Sequence, residues 1–215
     1  MPVQVLVLAK RPVAGRVKTR LTPPYSPDQA TTLAAAALDD TLDVVAATPV
    51  SHRVLAFDGE PDGWRRTYSV VEQCGGGLDD RLTAAVRDAY ELHDLPVLLV
   101  GMDTPQLRPD LLHEAARRLL QPGVDAVLGP ATDGGFWLVG LRRPHPRAFA
   151  GVPMSRAYTC DAQLARLRQL GLRVRLLPQL TDVDDAASAR AVAAAAPGTR
   201  FASVHAALAE QELVG

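Results

Sequence analysis

Short apolar runs alternate along the chain with longer segments in which apolar residues return every three or four positions. The short runs predict strands that are buried on both faces of a sheet; they cover residues 3–9, 53–57, 96–101, 125–130, 136–141 and 174–178. The periodic segments predict helices; they cover residues 26–47, 78–93, 108–123, 160–171 and 184–198. This alternation of strands and helices predicts an α/β fold with a mainly parallel sheet.

Two details sharpen this pattern. Ser26, Pro27 and Gln29 form the sequence signature of a capping box, so the first long helix is expected to begin there. The stretch "GPATDGGFWLVGL" at residues 129–141 joins two predicted strands through a glycine-rich link that contains no helix. We therefore expect an antiparallel or mixed element past the middle of the sheet.

Length and composition indicate one domain, residues 1–215, with enough apolar residues (47%) for a sizeable core. The formal net charge is -1, so no overall field favours nucleic acid or an anionic membrane as a partner. Cys74 and Cys160 suggest no disulfide framework, which favours a reducing, cytoplasmic setting. We expect no cleavable leader, because the first residues lead directly into a strand-like run, and no membrane span, because no apolar run is long enough to cross a bilayer.

A cationic loop follows the first predicted strand. It places five cations around Gly15, namely Lys10, Arg11, Arg16, Lys18 and Arg20. Because ligands of α/β sheets bind at the carboxyl ends of strands, this loop could neutralise a di- or triphosphate; the alternative is a solvated basic surface. A phosphate-binding loop of the Walker A type is excluded, since Val17 stands where that motif requires glycine before lysine.

Acidic residues follow two other predicted strands. Asp103 stands directly after the strand at 96–101 and is interpreted as a ligand of a divalent cation, the alternative being a cap for the next helix. A second group, Asp182, Asp184 and Asp185, precedes the last predicted helix. One of these three is expected to be its N-cap, but three clustered acids also favour a nearby cation.

Glycines mark two further turns. Asp133 precedes Gly134 and Gly135, which allow a tight turn or a close approach to a ligand. The run from Gly75 to Gly77 opens a predicted helix, whose free amides could contact a base, ribose or phosphate. The five histidines show no metal-ligand spacing, and none is assigned a role.

Taken together, "KRPVAGRVKTRL", "GMDTPQL", "GPATDGGFWLVGL" and "DVDD" resemble the glycosyltransferase A-type, or nucleotide-diphospho-sugar transferase, superfamily. More narrowly, the chain resembles a bacterial branch labelled glycosyltransferase, which is similar to 2-phospholactate guanylyltransferase. The resemblance extends from about Val3 to Ala189. It implies a Rossmann-like, three-layer α/β/α fold that binds a nucleotide at the N-terminal half of the sheet.

The resemblance also implies roles for individual residues. Nucleotide-binding positions would be Lys10, Arg16, Lys18, Arg20, Gln73, Gly75 and Gly76. Metal ligands for Mg²⁺ or Mn²⁺ would be Asp103 and Asp184, with Asp182 nearby. The acceptor side would be formed by Asp133, Gly134, Gly135 and Phe136. One departure concerns the last motif: Asp185 stands where the family usually has threonine, and Ser188 where it has a later acid.

These residues leave three functions open. A glycosyltransferase would move a sugar from a nucleotide sugar to a small acceptor, whereas a nucleotidylyltransferase would move a nucleoside monophosphate to a phosphorylated or carboxylated acceptor. A non-catalytic nucleotide-binding module would not need the acids. We favour glycosyl transfer, with Asp133 as candidate general base and an acceptor pocket formed by Asp133, Phe136 and Trp137. The base, the sugar, the acceptor and the oligomeric state are left open.

Overall fold

A computed structural model describes residues 1–61 and 67–214 of the chain. Within these residues it contains seven strands, six α-helices and one short 3₁₀ turn at Thr19–Leu21. The strands are β1 (Gln4–Lys10), β2 (His52–Asp58), β3 (Ser69–Glu72), β4 (Val97–Val100), β5 (Ala126–Pro130), β6 (Phe136–Leu141) and β7 (Val174–Leu176). The helices are α1 (Pro27–Ala47), α2 (Leu78–His93), α3 (Pro109–Leu119), α4 (Thr159–Gln169), α5 (Ala186–Ala195) and α6 (Arg200–Val214).

All seven strands form one sheet in the order β3-β2-β1-β4-β6-β5-β7. β6 runs antiparallel to both of its neighbours, β4 and β5, while the other pairings are parallel. This confirms the predicted α/β fold, the mainly parallel sheet and the antiparallel element past its middle. β2 and β3 are added successively on one side of β1, whereas β4 pairs with β1 on its other side, so the strand order reverses here. Crevices that bind ligands form at such a reversal, beyond the carboxyl ends of the strands.

Helices cover both faces of the sheet, because successive strand residues point to opposite sides. On one face Val5 and Val7 of β1 pack in a cluster with residues of α1 and α3. On the other face Leu6 packs with residues of α2 and α4. A third cluster joins α1 to α5 and α6 through side chains such as Leu33 and Phe201. The predicted three-layer α/β/α arrangement is confirmed.

The helix boundaries follow the predicted signals in most places. Ser26 and Gln29 form the expected capping box of α1. Gly171 follows the end of α4 in the left-handed conformation typical of that position. Asp185 is the N-cap of α5, so one of the three clustered acids is a cap, as expected.

One strand, β3, and one α-helix, α6, were not predicted. β3 is a half-exposed edge strand of four residues, too short for a clear alternating pattern. The start of α6 is capped from a distance: the carboxylate of Asp40, in α1, accepts hydrogen bonds from the backbone N–H groups of Arg200 (3.0 Å) and Phe201 (2.8 Å). A cap that lies so far away in sequence leaves no local signal. No helix in the described ranges has the length and apolar character needed to cross a membrane.

Candidate functional site

The cationic loop after β1 is anchored by two buried side chains, Val17 and Leu21. Lys18 lies between them in the left-handed conformation (φ 48°, ψ 40°), and the 3₁₀ turn begins directly after it. A residue with a β-carbon adopts this conformation at some cost, and such strain is often found at functional positions. The side chain of Lys18 points into the protein, and only 10% of it is exposed.

The inward-pointing lysine meets the end of β4. The Lys18 ammonium lies 2.7 Å from Oδ1 of Asp103 and also donates a hydrogen bond to the carbonyl of Val183. The backbone N–H of Lys10 donates to Sδ of Met102, which ties the two strand ends together. The cationic loop and Asp103, far apart in sequence, therefore meet between β1 and β4, where the strand order reverses.

The two remaining acids of the last motif have different surroundings. Asp184 forms an ion pair with Arg20, with 2.7 Å between the guanidinium and carboxylate atoms. Asp182 is more buried, and its Oδ1 has no hydrogen-bond partner among the described residues. Burial, followed by the negative charges of Asp133 and Asp103, raises the pKa of Asp182 to about 6. Like charges disfavour one another's ionisation, and a nearby cation would offset that repulsion.

These carboxylates fit a divalent cation in part. Magnesium and manganese prefer oxygen ligands, and such sites commonly combine one or two carboxylates with phosphate oxygens and water. Asp103 is 43% exposed and can turn to a ligand, while Asp182 offers an unpaired oxygen. Across the described ranges no three His, Cys, Asp or Glu side chains are already gathered as a metal-binding group. The arrangement therefore suits a cation that arrives together with phosphate.

Two neighbouring cavities open at this edge of the sheet. The smaller one, about 340 Å³, is lined by Arg16, Lys18, Arg20 and Asp184, among others. The larger one, about 580 Å³, is bordered by more of the predicted site residues, namely Gln73, Gly76, Asp133, Gly135, Phe136 and Asp182. Both are lined by Lys10, Met102, Asp103 and Ser155. The cations and the predicted acceptor side thus lie in adjoining spaces.

Gly75 and Gly134 line neither cavity, although both are predicted site residues. A β-carbon on Gly134 (φ +88°) would overlap the backbone carbonyl of Ala157, and one on Gly75 (φ +115°) would press on Asp80. These two glycines are explained by backbone packing. Gly134 also accepts a hydrogen bond from the Cys160 amide, which ties the turn after β5 to the start of α4.

Trp137 borders the larger cavity beside Phe136, as expected, but most of the residue is buried in the core. Only 4% of this residue is exposed, its indole N–H donates to the carbonyl of Pro178, and its ring lies so close to Gly129 that a β-carbon there would overlap it. Successive strand residues face opposite sides of the sheet, so Trp137 belongs to the core cluster on one face and Phe136 to the other.

Sequence reasoning missed the loop between β6 and α4. Met154, Ser155 and Arg156 border the larger cavity, as do Leu78 and Arg81 at the start of α2. Ser155 is left-handed (φ 56°), an unusual conformation for serine. The segment carries no motif with a physical meaning at the level of sequence, so only the folded chain reveals it.

Comparison with known proteins identifies the family of the chain. A family model described as "Uncharacterized protein conserved in bacteria (DUF2064)" matches residues 32–156, more than half of the chain. The chain belongs to this family. Its match begins within α1 and ends at Arg156, so it includes Asp103 and Asp133 but neither the cationic loop nor Asp182. No protein with a curated description matches the chain in sequence.

Several solved structures have a similar fold. A protein from Desulfovibrio desulfuricans G20, provisionally described as a nucleotide-diphospho-sugar transferase, is similar with a TM-score of 0.84 and 26% identity, over 99% of this chain and 96% of that one. A CMP:2-keto-3-deoxy-manno-octonic acid synthetase in complex with CTP gives a TM-score of 0.52 at 14% identity, over 88% of this chain and 96% of the other. The mannosyltransferase PcManGT from Pyrobaculum calidifontis, in complex with GDP-Man and Mn²⁺, gives 0.51 at 15% identity, over 83% and 55%. The predicted superfamily resemblance and the transferase fold are confirmed.

Proposed function

We propose that the chain is a glycosyltransferase that uses a divalent metal and moves a sugar from a nucleotide sugar to a small acceptor. One observation carries the proposal: a lysine from the cationic loop is paired with Asp103, where a cationic cavity adjoins a larger cleft. The similarity to the Desulfovibrio desulfuricans protein supports the nucleotide sugar as donor. A purely nucleotide-binding module would not require carboxylates at this position.

The donor diphosphate is assigned to the smaller cavity. Arg16, Lys18 and Arg20 line it and would offset the phosphate charge. Asp103 and Asp182 would hold Mg²⁺ or Mn²⁺, which when bound supplies positive charge to the departing diphosphate. We place Asp182 in this role before Asp184, because its buried Oδ1 has no partner among the described residues. Asp182 borders the larger cavity, which shares Asp103 with the smaller one.

The acceptor is assigned to the larger cleft, where Asp133 is the candidate general base. Oδ1 of Asp133 accepts a hydrogen bond of 2.7 Å from the backbone N–H of Gly135, which fixes the direction of the carboxylate. A carboxylate oriented in this way would accept the proton of an acceptor hydroxyl as that oxygen attacks the sugar. Phe136 borders the same space and would help to exclude water.

Nucleotidylyl transfer is the second candidate. It is favoured by the number of cations around the smaller cavity, since this reaction must stabilise charge on the α-phosphate while pyrophosphate departs. The same fold in a CTP-bound synthetase is compatible with it. In that case Lys10, Arg16, Lys18 and Arg20 would be divided between the three phosphates.

One assay separates the two reactions. The protein is incubated with a panel of nucleotide sugars and, separately, with nucleoside triphosphates, with Mg²⁺ or Mn²⁺ and a panel of small acceptors. We expect release of nucleoside diphosphate from a nucleotide sugar and its loss in Asp103→Asn, while Arg168→Gln, an exposed change on α4, retains activity. Pyrophosphate release from a triphosphate that requires acceptor and is lost in Asp103→Asn would favour the second candidate. The absence of both products would contradict the proposal.

A further inference from the structure

The loop between β6 and α4 is held rigidly against the cleft. Thr159, which is buried, accepts a hydrogen bond from the backbone N–H of Arg156 (3.0 Å) and donates one to the carbonyl of Pro153 (2.7 Å). The Ala157 carbonyl packs on Gly134, and the Cys160 amide donates to the Gly134 carbonyl (2.7 Å). The position of Arg156 is therefore fixed relative to the turn that carries Asp133.

Arg156 has no carboxylate partner among the described residues, a feature that it shares with Lys10 and Arg16 of the smaller cavity, but it lines only the larger cleft. Lys18 is paired with Asp103, Arg20 with Asp184, and Arg81 with Asp58. Arg156 borders the larger cleft and is exposed, so its guanidinium is accessible to a ligand there. An arginine presents a planar set of donors that matches a carboxylate or a phosphate in a bidentate manner.

The surroundings of Arg156 indicate what the anion is attached to. Arg156 lines the larger cleft and not the smaller, cationic cavity. The same cleft has an apolar lining that includes Leu8, Leu99, Phe136 and Met154. An arginine at the edge of such a lining suits a molecule with a small non-polar body and one anionic group.

We propose that Arg156 determines acceptor specificity by binding an anionic group, a carboxylate or a phosphate monoester, on the acceptor. The inference rests on the proposed function, because it takes the larger cleft as the acceptor site. The acceptor then has two distinct ends. Its hydroxyl lies near Asp133, and its anionic group lies on Arg156. The contact between Gly134 and Ala157 holds the two segments that carry Asp133 and Arg156 against each other.

The test uses three matched probes, which are glycerol, glycerate and glycerol 3-phosphate. Their binding to the full chain is measured by ligand-observed NMR in the presence of a nucleoside diphosphate and Mg²⁺. We expect at least one anionic probe to bind about tenfold or more tightly than glycerol, the factor that corresponds to about 1.4 kcal/mol. The comparison of glycerate with glycerol 3-phosphate identifies which anion the site prefers.

Three variants make the test specific. Arg156→Gln should abolish the preference for the anionic probe, Arg156→Lys should retain only part of it, and Arg168→Gln, which removes an equal charge from an exposed position on α4, should leave it intact. Thermal melting verifies that each variant is folded. The affinity for the nucleoside diphosphate should stay within about twofold in all three variants, a change of less than about 0.5 kcal/mol.

The inference is overturned if the wild-type protein shows no preference for an anion, if the preference survives in Arg156→Gln, or if that variant loses nucleotide affinity instead. Its failure can be distinguished from failure of the proposed function. Turnover of a nucleotide sugar with an acceptor dependence that Arg156→Gln leaves unchanged would remove only the inference. Anion binding that depends on Arg156, without turnover of any nucleotide sugar, would remove only the glycosyltransferase.

Discussion

Substitution of Lys18 by methionine should have opposite effects on the two ligands of the site. The Lys18 ammonium lies 2.7 Å from Asp103, so it occupies the carboxylate that a metal would use. Methionine retains a flexible apolar chain in place of the lysine stem but removes the charge. We therefore expect Lys18→Met to bind Mn²⁺ more tightly and a nucleoside diphosphate more weakly than the wild-type protein does.

The magnitudes follow from the geometry of the pair. At 2.7 Å the Coulomb attraction is about 6 kcal/mol for an effective dielectric constant of 20 and about 1.5 kcal/mol for bulk water. Asp103 is 43% exposed, and burying the lysine offsets part of the attraction, so we take a net value of about 1 kcal/mol. Without this competition the Kd for Mn²⁺ alone should fall about fivefold. The loss of a charge-assisted hydrogen bond to phosphate should raise the Kd for the nucleotide about 10- to 100-fold.

The assay has two independent readouts and one matched control. Free Mn²⁺ is measured by electron paramagnetic resonance without nucleotide, and nucleoside diphosphate binding is measured by calorimetry. Arg16→Met removes a cation that lines the same cavity but has no ion pair with a described carboxylate, so it should weaken nucleotide binding and leave the Mn²⁺ affinity unchanged. An unchanged or lower Mn²⁺ affinity in Lys18→Met would refute the competition at Asp103.

Three further substitutions test the site and its support. Asp182→Asn should raise the free energy of unfolding of the metal-free protein by about 1–2 kcal/mol at pH 8 and leave it unchanged at pH 4. The reason is that the pKa of Asp182 is raised from 3.8 to about 6 in the folded chain, so the cost of ionising it builds up between these pH values and is complete above them. Equal gains at pH 4 and pH 8 would contradict this explanation. Gly134→Ala should lower the melting temperature by several degrees, since its β-carbon would overlap a backbone carbonyl, whereas Gly198→Ala, in open space, should not. Asp40→Ala should lower the free energy of unfolding, measured in urea, by about 2 kcal/mol, because it removes the cap of α6. The control is Asp43→Ala, at a half-exposed neighbour that also pairs with Arg200. If the loss in Asp40→Ala is no larger than the loss in this control, the cap contributes little.

The sequence predicted the parts of this molecule that depend on local patterns. Buried parallel strands read as continuous apolar runs, so six of the seven described strands, the capping box at Ser26 and the helix-free turn before β6 were all visible in advance. Because parallel strands end at one edge of a sheet, it also followed that Lys18 and Asp103 should face one crevice. β3 and the start of α6 were missed because their formation depends on neighbours that are distant in sequence, such as Asp40.

The choice between Asp182 and Asp184 shows where sequence reasoning ends. The motif resemblance favoured Asp184, since spacing alone cannot reveal which of two acids already has a partner. In the folded chain Arg20 reaches Asp184, whereas Asp182 keeps a buried oxygen unpaired beside two other carboxyl groups. An unpaired carboxylate in such a place lowers stability, and a cation would relieve that cost when it binds. The energetic argument for Asp182 as a metal ligand therefore comes from contacts that only the tertiary structure creates, and it is the same argument that predicts the gain in stability on its replacement by asparagine.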